Sequence, residues 1–558
     1  MQATHGVNEG VASLTIDAID GIQADVAIVN TTVFTADAAR SWSDAVAVRG
    51  DRLIALGGPD VRARIGPDTE VIDAADGLVL PGFQDAHVHA PFAGLDRLRI
   101  DLRTAATGQQ CMDTIAAYAA ANPELEWICG GGWALDCFPG GTPTRQALDG
   151  IVPDRPVYLL NRDGHSAWVN TEALRRGGVD RSTPDPSDGR YDRDASGELT
   201  GCLHEGAAHS FNYDHVPPPS TEMWQDAILE SQAYLFSLGI TGWQDALVTP
   251  ATEQAYQGLA DTGRLQARVV GALWWDRHRG LEQIEELVER RRTSARGSYH
   301  PTAVKIMVDG VLENYTGALL EPYCGHRIVG ASGGLTYVAP DLLSAAVTRL
   351  DALDFQAHVH AIGDRAVRMA LDAVQAARAA NGHRGNRHHI AHLELVHPDD
   401  LPRFRQLNVT ANCQAFWAQH DPQLDVHTIP LIGAERVGRL YPFGDLYRSG
   451  ATLAMGSDWG VTTADPLQQI EVAIRRVNPA TRHERPLLPD QRLPLTAALG
   501  AFTAGSAYVN HDDDAGSIAV GRRADLTLLD RNVFEDGCLP ADATVTHTFA
   551  SGALVWSA

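Results

Sequence analysis

The spacing of apolar and polar positions changes twice along this chain. From 24 to 80, short β-rich runs alternate with turns: "DVAIVNTTVFT", "DAVAVRGDRLIALGG" and "TEVIDAADGLVL". They predict strands of a small sheet. The C-terminal runs "GSIAVGRRADLTLLD" and "VTHTFASGALVW" have the same texture. The two ends together predict one composite β-sandwich domain. The middle follows another rhythm. Apolar, often β-branched runs lie at 239–246, 266–273, 303–310, 355–361, 388–396, 408–414 and 451–456. Helix-period stretches such as "GLEQIEELVERRR", "PDLLSAAVTRLDAL" and "DRAVRMALDAVQAARAANG" separate several of them. With a further strand in "GLVLPGFQDAHVH", the pattern predicts an α/β fold with eight strands and helical crossovers, a (β/α)8 TIM-type barrel. The alternative, an open doubly wound sheet, would usually carry a Gly-rich phosphate loop after its first strand, and this sequence has none.

The expected order is a loose tail over 1–23, the first part of the β domain over 24–80, the barrel over 81–506, and the rest of the β domain over 507–558. A stretch from about 127 to 214, rich in Gly, Pro and Asp, breaks the strand–helix rhythm and reads as an insertion over the barrel mouth.

Composition narrows the function classes. The 558 residues carry a formal net charge of −25, with 44% hydrophobic and 21% charged residues. That balance fits a soluble globular protein and argues against nucleic-acid or anionic-membrane partners. The basic triplet Arg290-Arg291-Arg292 stands alone. No apolar run is long enough to predict a transmembrane helix, and the N-terminus has no signal-peptide pattern. Seven scattered cysteines without a C-x-x-C pair suggest reduced thiols and a cytoplasmic setting.

Chemistry gathers at the predicted strand ends. The first ends "DAHVHA", and residues i and i+2 of a strand face the same side, so His87 and His89 can reach one point. The fifth holds His358 and His360, the sixth His392, and the eighth ends "AMGSDWG" with Asp458. The C-terminal strand ends of a parallel barrel surround one mouth, so these groups form a nitrogen/oxygen site for zinc or a similar divalent ion. The fourth strand holds Lys305, the only lysine among 45 Lys and Arg residues. A structural salt bridge there would be served as well by arginine. A buried amine, unlike a guanidinium, can lose its proton and react with carbon dioxide. The resulting carbamate is an anionic ligand able to bridge two metals.

With these residues placed, the chain resembles the amidohydrolase superfamily, and within it the YtcJ-like (amidohydrolase 3) group. The resemblance runs through "LVLPGFQDAHVH", "GGW", "DRPVYLLNRDGHSAWVNTEAL", "DASGELTGCLHE", "VKIMVDGVLENYTGALLEPY", "VHAIGDRAVRMALDA", "GSDWGVTTADPL" and "VGRRADLTLLD". It implies a metal-dependent hydrolase with His87 and His89 on a first metal and His360 and His392 on a second. Lys305, N6-carboxylated, would be the bridge between two zinc ions, and Asp458 would bind metal and handle protons. His360 rather than His358 aligns with the strand-5 ligand. Where many members have glutamate before the strand-6 histidine, this chain has Ala391.

The mechanism expected from this set is attack of metal-activated hydroxide on an amide-type carbonyl. Asp458 takes the proton and passes one to the leaving amine, and His165 binds the carbonyl or its oxyanion. Trp133, Trp168, Trp417 and Trp459, expected near the mouth, suggest an apolar amide, formamide or carbamate as small-molecule substrate. Deamination or cyclic-amide opening at the same metals, and a non-catalytic regulatory protein on this scaffold, are the alternatives. A serine hydrolase is a weaker rival: "GASGG" at 330–334 matches G-x-S-x-G but follows no predicted strand. The family resemblance also suggests a homodimer.

Overall fold

The computed structural model describes residues 21–134, 137–138, 142–161, 166–186, 189–313, 315–324 and 333–558. Most of the expected N-terminal tail lies outside this set, as does Ser332 of the serine-hydrolase motif. The chain divides into two compact units, one of residues 1–90 with 232–558 and one of residues 91–231.

The first unit contains the barrel. Its strands are β1 (Phe83–Val88), β2 (Ile240–Val248), β3 (Arg268–Trp274), β4 (Tyr299–Met307), β5 (Gln356–Ala361), β6 (His389–His392), β7 (Thr410–Cys413) and β8 (Leu453–Met455). They form one eight-stranded parallel sheet in chain order. The seam between β8 and β1 is bridged by single bonds just past the strands, Asp458 N–H to the His87 carbonyl (2.7 Å) and His89 N–H to the Trp459 carbonyl (2.8 Å), and the Asn412 side chain of β7 reaches across to the Ala86 carbonyl (2.9 Å). All eight expected strands are present. The helices between them follow from the sequence period. α1 (Pro250–Asp261) opens on a Thr249 cap with proline at its start, and α2 (Asp364–Asn381) buries a continuous apolar face.

The front run "GLVLPGFQDAHVH" makes two strands rather than one. Leu78–Pro81 joins a six-stranded sheet with Leu526–Leu529, Val545–Ala550 and Ala553–Ser557 from the other end of the chain. A four-stranded sheet of residues 26–73 shares an apolar core with it, Val26, Ile28 and Val48 packing with Leu526, Leu528 and Phe549. The composite β domain from both termini is therefore present. All seven cysteines are free thiols. Among the described residues, no helix is long and apolar enough to cross a membrane.

The second unit is inserted between β1 and β2 and holds its own six-stranded mixed sheet. It runs from Pro91 to Ser231, well beyond the expected 127–214. The additional parts include a regular helix, Gly108–Ala121, whose period is indistinguishable from that of a barrel crossover.

Candidate metal centre

The barrel interior is polar along one path. Gln244 of β2 donates to Gln356 of β5 and faces the His389 ring of β6, both at 2.9 Å, and His389 meets Asn412 of β7 at 3.1 Å. These groups are buried and mutually bonded, so they carry no desolvation debt and form a rigid floor. The mouth above is built differently.

His87 is fully buried at the end of β1. Asp85 holds it in place, accepting the His87 N–H at 2.9 Å and the Ser457 N–H at 3.0 Å, which ties β1 to the segment after β8. Burial pushes the Asp85 carboxyl up to about 7. Gly456 makes this approach possible, since a Cβ there would lie 2.5 Å from the His87 N and Cβ atoms. The chain then turns sharply at Asp458 (φ 54°), and at His392 (φ 80°) and Leu393 (φ 54°) after β6. Non-glycine residues in this region cost roughly 1 kcal/mol or more each, and such strain concentrates at functional sites.

These turns bring side chains together. Ligand atoms of His87, His392 and Asp458 lie within 4.8 Å of one another. Asp458 Oδ1 is 3.4 Å from His87 Nε2 and 3.1 Å from His89 Nε2. The His360 ring sits 4.4 Å from the His392 ring, and its Nε2 is 3.3 Å from the Gly310 carbonyl oxygen and 3.7 Å from Asp309 Oδ1. Asp309 accepts three backbone N–H bonds, from Ala318, Ile362 and Gly363, and so fixes the loop beside His360. His358 serves another role. Its Nε2 is 2.8 Å from His87 Nδ1, so it orients the His87 ring from behind and leaves His87 Nε2 facing the mouth.

Lys305 is buried, with Nζ 3.4 Å from His87 Nε2. Among the described residues no carboxylate lies within ion-pair distance of it. Burial pulls its amine down to about 7, against the attraction of Asp458 and Asp245. Burial also holds the His87 and His360 imidazoles down to about 3, with Lys305 acting in the same direction, and keeps His392 well below its usual range. For Asp458 burial acts upward, but His87 and His89 outweigh it and hold the carboxyl well below the usual carboxylate range.

Neutral imidazoles and an ionised carboxylate are the protonation states a divalent cation requires. Two buried atoms at this point, His392 Nδ1 and Asp458 Oδ1, make no hydrogen bond among the described residues, Asp458 Oδ1 having only its ion-pair approach to the His87 and His89 rings. Buried polar atoms are seldom left so, and a cation among these donors would satisfy both. The residues present fit a metal.

The expected substrate-contacting residues divide. Trp417 stacks on His392, ring centroids 5.4 Å apart and planes 13° apart. It lines a cavity of about 350 Å³ together with Phe416, Tyr441, Glu313, Glu394 and Asp421. Trp459, 9% exposed, packs against Tyr234. Trp133 and Trp168 are instead core residues of the second unit. Both are fully buried, and their indole N–H groups are bonded to the carbonyls of Leu159 and Thr144. The expectation that they contact substrate is corrected accordingly. His165 lies outside the described residues. Sequence reasoning missed Asp85, the orienting role of His358, the polar floor and the cavity carboxylates. Asp85 had a signal, two positions before His87 on the same face of the strand.

Comparison with known proteins adds to this geometry. An amidohydrolase family model matches residues 70–555. "Protein LONG AFTER FAR-RED 3" of Arabidopsis thaliana is 30% identical over 95% of this chain and 91% of its own length. "N-substituted formamide deformylase" of Arthrobacter pascens is 26% identical over 91% of this chain and 94% of its own. The crystal structure of an uncharacterized metal-dependent hydrolase from Pyrococcus furiosus superposes with a TM-score of 0.74 at 26% identity, covering 91% of this chain and 100% of that one.

Proposed function

The chain belongs to the amidohydrolase family, and from that premise we propose that it hydrolyses a C–N bond of an N-substituted amide, formamide or carbamate. The observation that carries this reading is the buried group His87, His392 and Asp458 at the barrel mouth, with His392 Nδ1 and Asp458 Oδ1 making no hydrogen bond among the described residues. These residues would hold a zinc or similar divalent ion, which would supply an acidified water and a Lewis acid for the scissile carbonyl. His87 and His89, beside Asp458, are the proposed ligands of one ion, and His360 and His392 those of a second. Lys305, in N6-carboxylated form, is the proposed bridge. Its burial among neutral imidazoles, without a carboxylate partner among the described residues, supports a role that needs the uncharged amine.

Asp458 is the proton carrier in this reading. Its carboxylate takes a proton from the attacking water at Oδ and returns it to the leaving nitrogen, so the amine departs neutral and the acid keeps the added oxygen. The two backbone N–H bonds it receives at its own carbonyl, from Val461 and Thr462, hold the turn that aims it. His358 and Asp85 keep His87 in one orientation while this happens. Of the four tryptophans expected near the mouth, Trp417 is the one this reading retains beside the reacting carbonyl. The seven free thiols support a cytoplasmic setting.

The test is release of amine from a panel of N-substituted formamides and carbamates, with cyclic amides and amino-heterocycles alongside. The expected result is turnover of the first two classes, lost on chelation and restored by zinc, and reduced by about 10²- to 10⁴-fold in Asp458→Asn. Turnover that survives complete metal removal would overturn the metal-dependent reading. Ammonia release from the amino-heterocycles alone would replace the amide reading with deamination.

A further inference from the structure

The cavity beside the metal centre has a composition that the hydrolase reading does not explain. Its wall is made by segments that run straight on from the site residues. Val311 follows Gly310, whose carbonyl faces His360. Glu394 lies two positions after His392, and Trp417 stacks on His392. Val461 and Thr462 are bonded through their N–H groups to the Asp458 carbonyl. These continuities place the cavity beside the site residues, where the substituent of a molecule reacting there would extend.

Two kinds of side chain face that substituent. Phe416, Trp417 and Tyr441 offer aromatic surface, and Glu313, Glu394 and Asp421 offer carboxyl groups. Among the described residues, no arginine, lysine or histidine lines the cavity, and none forms an ion pair with any of these three acids. The contacts they do make are to neutral groups: Gln423 donates to Glu313, the Leu424 N–H donates to Asp421 at 2.7 Å, and the Tyr441 hydroxyl bonds Glu394, whose carboxyl burial pushes up to about 8, so that Glu394 stands in the wall as a neutral acid at neutral pH. Elsewhere on this acidic protein carboxylates are commonly paired with arginine, as Asp400 is with Arg368 and Arg403. Aromatic faces next to unpaired carboxylates attract a cation by two additive routes, the ring quadrupole and direct charge. They repel an anion, and they make an uncharged apolar group desolvate the acids without return.

We infer that this cavity selects substrates whose substituent carries a positive charge on an apolar or aromatic body, such as a protonated arylalkylamine. The inference builds on the proposed hydrolase reading and narrows its substrate class. It also departs from the purely apolar substrate expected from the tryptophans.

Binding rather than turnover tests it. Benzylammonium, benzyl alcohol and benzoate have the same ring and differ in charge, and each is titrated calorimetrically into the metal-loaded full chain at neutral pH. The expected result is that benzylammonium binds about tenfold tighter than benzyl alcohol, with benzoate weakest. Because a free amine can also reach a metal, the variants Glu313→Gln and Asp421→Asn decide the cause. Both keep a hydrogen-bond acceptor, and the ammonium advantage should shrink in each and vanish in the double variant. Equal or tighter binding of the alcohol or of benzoate, an ammonium advantage unchanged in the double variant, or binding of none of the three would overturn the inference. None of these outcomes depends on hydrolysis. Failure of the formamide panel leaves this test standing, and failure here leaves the hydrolase reading standing.

Discussion

In the second unit, Trp133 and Trp168 bury their rings completely and give their indole N–H groups to the carbonyls of Leu159 and Thr144, each at 2.9 Å. At the barrel mouth His392 and Asp458 are buried almost as deeply, at 3% exposure each. Yet among the described residues His392 Nδ1 and Asp458 Oδ1 make no hydrogen bond, and both residues sit in left-handed backbone. Both regions hold side chains that look functional in a sequence. In one the buried indole N–H groups are satisfied locally, which is how a core is built. In the other, left-handed backbone and buried atoms without hydrogen bonds among the described residues coincide, an arrangement that a bound cation would stabilise. The difference separates a structural aromatic from a ligand more sharply than residue type does.

The largest effect that could break this comparison is His392→Ala. It should abolish metal-dependent turnover and lower metal content, whereas Trp168→Phe should leave both near wild type. Elemental analysis beside an activity assay reads the contrast, and equal losses in the two variants would show that the mouth is not special. Gly456→Ala comes next. The added Cβ collides with the backbone of His87, so it should cost about 3 kcal/mol or more of stability and lower metal affinity, read by urea unfolding with and without zinc. Retained affinity would mean that the β1–β8 approach does not set the site. Lys305→Ala should reduce about two ions per chain to about one if the lysine bridges. An unchanged count would make it structural.

Acid titration sharpens the same contrast. In the metal-free protein, burial holds His87 and His360 neutral down to about 3, while in the unfolded chain they protonate near 6.5. Between those values the unfolded state binds more protons. Their contribution is therefore fully present above about pH 6.5 and is lost as pH falls towards about 3. The urea midpoint should fall across that window, less steeply in His360→Gln. An identical slope in wild type and variant would refute the assignment. The smallest effect is Trp133→Phe, which removes one buried N–H bond and should cost about 1–2 kcal/mol with unchanged metal content.

How much of this was legible follows the same division. The barrel strands could be read because β-branched runs mark strands wherever they lie, and His87, His89, His360, His392 and Asp458 could be read because strand ends converge in a parallel barrel. The extent of the inserted unit could not, since its helix 108–121 carries the same period as a barrel helix. Trp133 and Trp168 were misplaced because a tryptophan in a Gly-rich segment suits a pocket wall and a small core equally well. Gly456 gave no sign, because its need arises from β1, more than 350 residues earlier in the chain. Glu313 and Asp421 sit in loops, and only the folded chain shows that they share a wall with Trp417.

The central claim is that the barrel mouth holds a catalytic metal on His87, His392 and Asp458. The most direct measurement is the metal content per chain of the purified wild-type protein and of the double variant His392→Ala/Asp458→Ala, by elemental mass spectrometry after exhaustive dialysis and zinc reloading. The account predicts at least about one tightly held ion per chain in the wild type and close to none in the variant. Equal metal in both, or a wild type that stays metal-free while fully active, would contradict it.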